Sequence, residues 1–118
     1  MNAESFGLKA GERCKVLVVG TSNYCSFTLA RLSRLGITDG IAITNSESHA
    51  IWAAKNLSPE TVICSIDRER KSGGIDFMRK METLNPSMSV ILTSSALDVV
   101  FDDRSLRDLA SRQRATSG

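Results

Sequence analysis

The stretch Lys15-Val16-Leu17-Val18-Val19-Gly20-Thr21-Ser22-Asn23 decides the fold. Five residues of continuous, mostly β-branched character predict a short strand buried on both faces. The glycine and the three small polar residues after it predict a tight turn. Residues 24–35 follow as a helix, with Cys25, Leu29 and Leu32 at i, i+4 and i+7 and Gly36 as its stop signal. Strand, turn and helix then repeat along the chain.

Residues 40–44 (Gly-Ile-Ala-Ile-Thr) predict a second strand. Asn45-Ser46-Glu47 offers capping oxygens for a second helix to about Leu57, with Ala50, Ala53, Ala54 and Leu57 facing inward. Residues 61–66 predict a third strand. A charged loop, 67–73, leads to a third helix over 74–84, with Phe77, Met78, Met81 and Leu84 on one side. Pro86 breaks that helix, and residues 89–93 predict a fourth strand. Four apolar strands alternating with three-turn helices specify βαβ units and a doubly wound parallel α/β sheet. Reactive groups in such folds collect at the carboxyl ends of the strands. The positions to question are therefore 20–23, 65–71 and 94–95.

Composition narrows the function classes. The chain has 118 residues, 42% of them hydrophobic and 24% charged, which suits one globular domain. Fifteen Lys and Arg against 13 Asp and Glu give a net charge of +2, too small to predict binding to nucleic acid or membrane by bulk electrostatics. No apolar run reaches the roughly 20 residues of a membrane span, and the first residues lack a signal-peptide plan. The cytoplasm is the expected location. Cys14, Cys25 and Cys64 are widely spaced and His49 is the one histidine, so neither a zinc site nor a disulfide framework is expected. Residues 1–13 are polar, contain Gly7 and Gly11, and read as a flexible N-terminal arm before a domain over 14–118.

The strand ends carry little recognisable chemistry. Gly20 alone makes neither a dinucleotide fingerprint nor a phosphate loop. The first mouth resembles in part the loop of low-molecular-weight tyrosine phosphatases. Gly20 then falls at the nucleophile position and Ser26 at the arginine position, which leaves no thiolate and no phosphate clamp.

Residues 15–95 as a whole resemble the receiver domain of bacterial response regulators. The resemblance rests on ordered segments: Lys15-Val-Leu-Val-Val19, Leu32-Ser-Arg-Leu-Gly-Ile37, Asn45-Ser-Glu-Ser-His-Ala50, Pro59-Glu-Thr-Val-Ile-Cys64, Gly74-Ile-Asp-Phe-Met-Arg-Lys-Met81, and Asn85-Pro86 leading to Val90-Ile-Leu-Thr-Ser-Ser95. It implies a flavodoxin-like sheet and a phosphorylation site. Two acids after the first strand would hold a cation, and this chain has Gly20 and Thr21 there. The acceptor aspartate position holds Ser65, and the switching hydroxyl position holds Ser94. No fifth-strand lysine can be placed. Asp67 is a possible displaced acceptor if one gap is allowed. Without the acidic pair no carboxylate cage for Mg²⁺ is supplied. The resemblance therefore implies a degenerate receiver, without enzyme activity, cofactor or metal. The remaining alternatives are phosphate acceptance at Asp67 and a small-anion or enzymatic site at residues 20–23.

Partner binding is the expected role. Trp52 falls nearly opposite the inward alanines of its helix, either as a partner contact beside Ile51 or covered by the N-terminal arm or a neighbouring loop. Only 23 residues follow Ser95, so the fifth strand is expected to be atypical or missing. Residues 97–101 read as either strand or helix. Leu97, Val100, Phe101, Leu106 and Leu109 are the apolar positions expected to join Ile51 and Trp52 in contacting a protein partner, another signalling domain or a second copy.

Overall fold

The computed structural model describes residues 2–65 and 73–93. Its elements alternate in chain order: β1 (Val16–Val19), α1 (Ser22–Arg34), β2 (Ile41–Thr44), α2 (Glu47–Asn56), β3 (Thr61–Ser65), α3 (Gly73–Leu84) and β4 (Ser89–Thr93). A short 3₁₀ turn at Ala3–Phe6 precedes them. All strand pairs among the described residues are parallel, in the order β2-β1-β3-β4. This is the doubly wound sheet that the strand-helix alternation predicts.

Period-two alternation divides the strands between two cores. Leu17, Val19, Ala42, Val62 and Cys64 join Ala50, Ala53 and Ala54 of α2 and Phe77 and Met81 of α3 on one face. Val16, Val18 and Ile63 meet Tyr24, Cys25 and Leu32 of α1 on the other. β1 is the hub: all four of its side chains are fully buried. Each such burial contributes about 1.5–3 kcal/mol. The alanine stripe of α2 lets that helix lie close to the sheet.

Local chemistry sets the helix ends. The Thr21 hydroxyl caps α1 by accepting from the Tyr24 amide at 3.2 Å. The Ser46 hydroxyl caps α2 by accepting from the His49 amide at 3.3 Å. Strong capping by Thr21 starts α1 at Ser22, two residues before the apolar periodicity begins, so Ser22 and Asn23 are helical rather than part of the turn. α1 buries Tyr24 and Thr28 beside Cys25 and Leu32, while Leu29 is half-buried. Leu84 departs from its expected inward place. It is the last residue of α3, with no further turn to cover it, and stays 36% exposed.

The N-terminal residues are not a loose arm where they are described. Phe6 and Leu8 are buried in the α2-α3 core, and Ala3 packs against it. The Asn2 side chain caps the 3₁₀ turn by accepting from the Ser5 amide at 3.0 Å, and Gly7 ends it at φ +90°. Further along, the Glu12 carboxylate accepts from the amides of Lys9 and Gly40, both at 2.8 Å. Those two backbone donors hold the Glu12 carboxyl below the usual carboxylate range. Gly40 is required there: its φ is +68°, and an added Cβ would stand 2.8 Å from the Arg13 carbonyl oxygen. The segment is thus tied to the sheet by two apolar anchors and one carboxylate clasp. No described helix is long and apolar enough to cross a membrane.

Candidate functional site

Parallel register brings the carboxyl ends of the strands to one edge. Val19 pairs with Cys64, and Ser65 pairs with Thr93. Gly20 and Thr21 therefore stand beside the end of β3, with Ser65 as its last residue. These are three of the positions at which the sequence resemblance places phosphorylation machinery. Asp67 and Ser94 lie outside the described residues, as do Leu97, Val100, Phe101, Leu106 and Leu109.

The geometry at Gly20 is specific. Its amide donates to the Thr44 carbonyl at 3.0 Å, which fixes the end of β1 against β2. A Cβ built on Gly20 would lie 2.3 Å from Cδ2 and 2.9 Å from Cγ of Tyr24. Real carbon contacts do not approach so closely. The Tyr24 ring, 4% exposed, occupies the space that any side chain at position 20 would need. Spacing and periodicity give Tyr24 no role beyond opening its helix. The signal was present in outline: a bulky aromatic one helical turn after a glycine, at the third residue of a helix. Thr21 is also committed, since its hydroxyl caps α1 and its carbonyl accepts from the Cys25 amide at 2.8 Å.

Beside this edge, α1 and β2 flank a groove of about 260 Å³ lined among the described residues by Gly20, Ser22, Cys25, Ser26, Leu29, Ile43, Thr44 and Asn45. The described lining residues carry hydroxyls and one amide but no charged side chain. Among the described residues, no cluster of three His, Cys, Asp or Glu is arranged to hold a metal ion.

The cysteines behave as small apolar residues. All three are buried thiols outside any disulfide. Burial pushes the Cys14 thiol up to about 11 and raises that of Cys25. The neutral thiol is therefore the form that the folded state favours. In the unfolded chain Cys14 ionises near pH 8.5–9, so its contribution to stability is intact below that range and is lost as pH rises toward 11. At pH 8 we expect alkylation of Cys14 by iodoacetamide to run about 100-fold slower in the folded protein than in urea. Equal rates, read by peptide mass mapping, would refute the buried-thiol assignment.

Trp52 and Ile51 are both half-buried against the α2-α3 core. Phe6 stacks on the Trp52 ring at 5.7 Å between centroids with an interplanar angle of 8°, and meets the His49 ring edge-on at 6.4 Å. Of the two readings of Trp52, the structure shows the cover by N-terminal residues.

Two solved structures share this architecture. The first is the response regulator MaeR bound to beryllium trifluoride. It matches with a TM-score of 0.59 and 18% identity, over 87% of this chain and 98% of that one. The second is the response regulator PhyR from Brucella abortus, with a TM-score of 0.52 and 14% identity, over 90% of this chain and 51% of that one. The chain thus spans about half the length of PhyR. No protein-family model matches the sequence, and no curated protein does. The structural likeness establishes a receiver-type, flavodoxin-like fold.

Proposed function

We propose that this chain is a phosphorylation-independent receiver domain, a cytoplasmic interaction module in bacterial two-component-type signalling. The observation that carries the reading is the Tyr24 ring seated against Gly20. The receiver resemblance puts the first cation-holding acid at Gly20. No carboxylate can stand there while Tyr24 keeps its place. Thr21, at the second acid position, spends its hydroxyl on the α1 cap. Phosphoryl transfer depends on a cation to neutralise developing charge, and hydroxyl and backbone groups are poor substitutes for carboxylates around Mg²⁺. Ser65 offers a neutral alcohol in place of an acceptor carboxylate. Signalling by such a domain runs through partner occupancy rather than phosphate. The partner is a protein: another signalling domain or a second copy of the chain.

Incubation with acetyl phosphate and Mg²⁺, followed by intact-mass measurement, tests the reading. The expected result is no phosphoryl adduct, and no change in thermal unfolding with beryllium fluoride. MaeR, which has been captured with beryllium trifluoride, is a suitable comparison for the second measurement. A single adduct that disappears in Asp67→Asn would overturn the reading.

A further inference from the structure

A second groove lies away from the strand ends, between α2 and α3. Its volume is about 390 Å³, and among the described residues it is lined by Ile51, Arg79, Lys80, Thr83 and Leu84. Its apolar lining comes from Ile51 and from Leu84, one of two large hydrophobic residues that the described fold leaves exposed. The lip is basic. Lys80 faces Glu47 across the two helices at 3.0 Å, with the lysine side chain still 60% exposed. Arg79 is exposed and makes no ion pair among the described residues. The exposed acids of α3, Asp76 and Glu82, are not among the lining residues. Thr83 turns its hydroxyl back to the Arg79 carbonyl at 2.9 Å, so it presents its methyl side rather than a free donor.

We propose that this groove is the docking site for an acidic amphipathic helix of a partner protein. The proposal rests on the interaction-module reading and names the surface through which it works. Two neighbouring helices with an apolar trough between them accept a third helix through side chains one turn apart. Among the described lining residues Arg79 carries a positive charge without an ion pair and Lys80 shares Glu47, so it is Arg79 that selects an acidic flank on that helix. Apolar contact would supply affinity, and Arg79 would supply sign selectivity and faster encounter.

The test is selection from a random helical-peptide display library against the full chain, with counter-selection on the Leu84→Glu/Arg79→Glu double variant. Enriched peptides are expected to carry apolar residues at i and i+3 or i+4 with Asp or Glu beside them. Binding of a selected peptide, followed by fluorescence anisotropy, should weaken by at least about tenfold in each of Leu84→Glu and Arg79→Glu. A Lys-for-Glu peptide should recover part of the loss on Arg79→Glu. Both positions are exposed, and unchanged circular dichroism and thermal unfolding would show that the variants stay folded. Neutral or basic consensus sequences, or binding that ignores both substitutions, overturn the proposal. So does self-association in sedimentation that Leu84→Glu abolishes, because the occupant is then a second copy. Phosphoryl uptake measured on the same samples keeps the two readings separable: an adduct overturns phosphorylation independence, whereas the absence of groove-dependent peptides overturns only this site.

Discussion

Phe6→Ala is expected to destabilise the domain by about 3–5 kcal/mol, the range for removing a buried aromatic ring. Phe6 is 2% exposed, lies in the α2-α3 core and stacks on Trp52. An aromatic pair of this kind adds about 0.5–1.5 kcal/mol beyond area burial, so truncation removes both contributions. A residue on a loose arm would change stability by no more than about 0.5 kcal/mol. The two pictures therefore differ several-fold. Trp52 is the single tryptophan, which gives the experiment its own probe. Urea unfolding followed by its fluorescence should show a lower midpoint, with native emission shifted to the red as the ring loses its cover. A loss below about 0.5 kcal/mol would return residues 2–8 to the status of an arm.

The second large effect concerns Gly20. An alanine replacing a glycine at an ordinary backbone angle stabilises a protein by about 0.4–1 kcal/mol, because the unfolded chain loses freedom. Gly20 is not among the positive-φ glycines, so the backbone offers no objection to a side chain. Space does, because the new methyl carbon would fall 2.3 Å from the Tyr24 ring. Overpacking of this kind costs about 1–3 kcal/mol. Gly20→Ala should therefore destabilise by that amount in the natural background. In a Tyr24→Ala background, with the ring gone, the same change should be neutral or stabilising. The reversal of sign, measured as a double-mutant cycle by urea unfolding, is the decisive quantity. Equal costs in both backgrounds would mean that the ring does not guard position 20. The physical argument against a carboxylate there would then fail.

Most of the fold was legible because burial on two faces leaves a strong mark on sequence. Val16-Leu17-Val18-Val19 has no polar interruption, and β4 emerged with the bounds read from Ser89 to Thr93. Ser46 and the Ala50, Ala53, Ala54 stripe identified α2 and its inward face together. The N-terminal anchors were not legible, since two apolar residues either side of Gly7 in a polar segment set no period. Only the arrival of Trp52 and the sheet gives them a place to bury. Leu84 shares the helical face of Phe77 and Met81, but periodicity does not register where a helix stops. At the strand ends, counting placed Gly20, Thr21 and Ser65 at one edge, and the register of β1 and β3 brings them there. The blocking ring of Tyr24 depends on a side-chain direction at a helix terminus, which spacing alone does not encode. The positions at Asp67, Ser94 and the apolar residues from Leu97 to Leu109 lie outside the described residues.

The strand order has a consequence for how the molecule acquires its shape. β1, the earliest strand to be synthesised, ends at the centre, between β2 and β3. Every pairing among the described strands is parallel, so none of these can begin as a hairpin, and each must wait for a helix to cross over. Phe6 waits as well, since its stacking partner in α2 lies far along the chain. The most apolar segment is thus the one that stays longest without neighbours on the ribosome. A non-local wiring of this kind slows folding and lengthens exposure to aggregation. Refolding yield should then depend more steeply on protein concentration than the small size of the domain suggests.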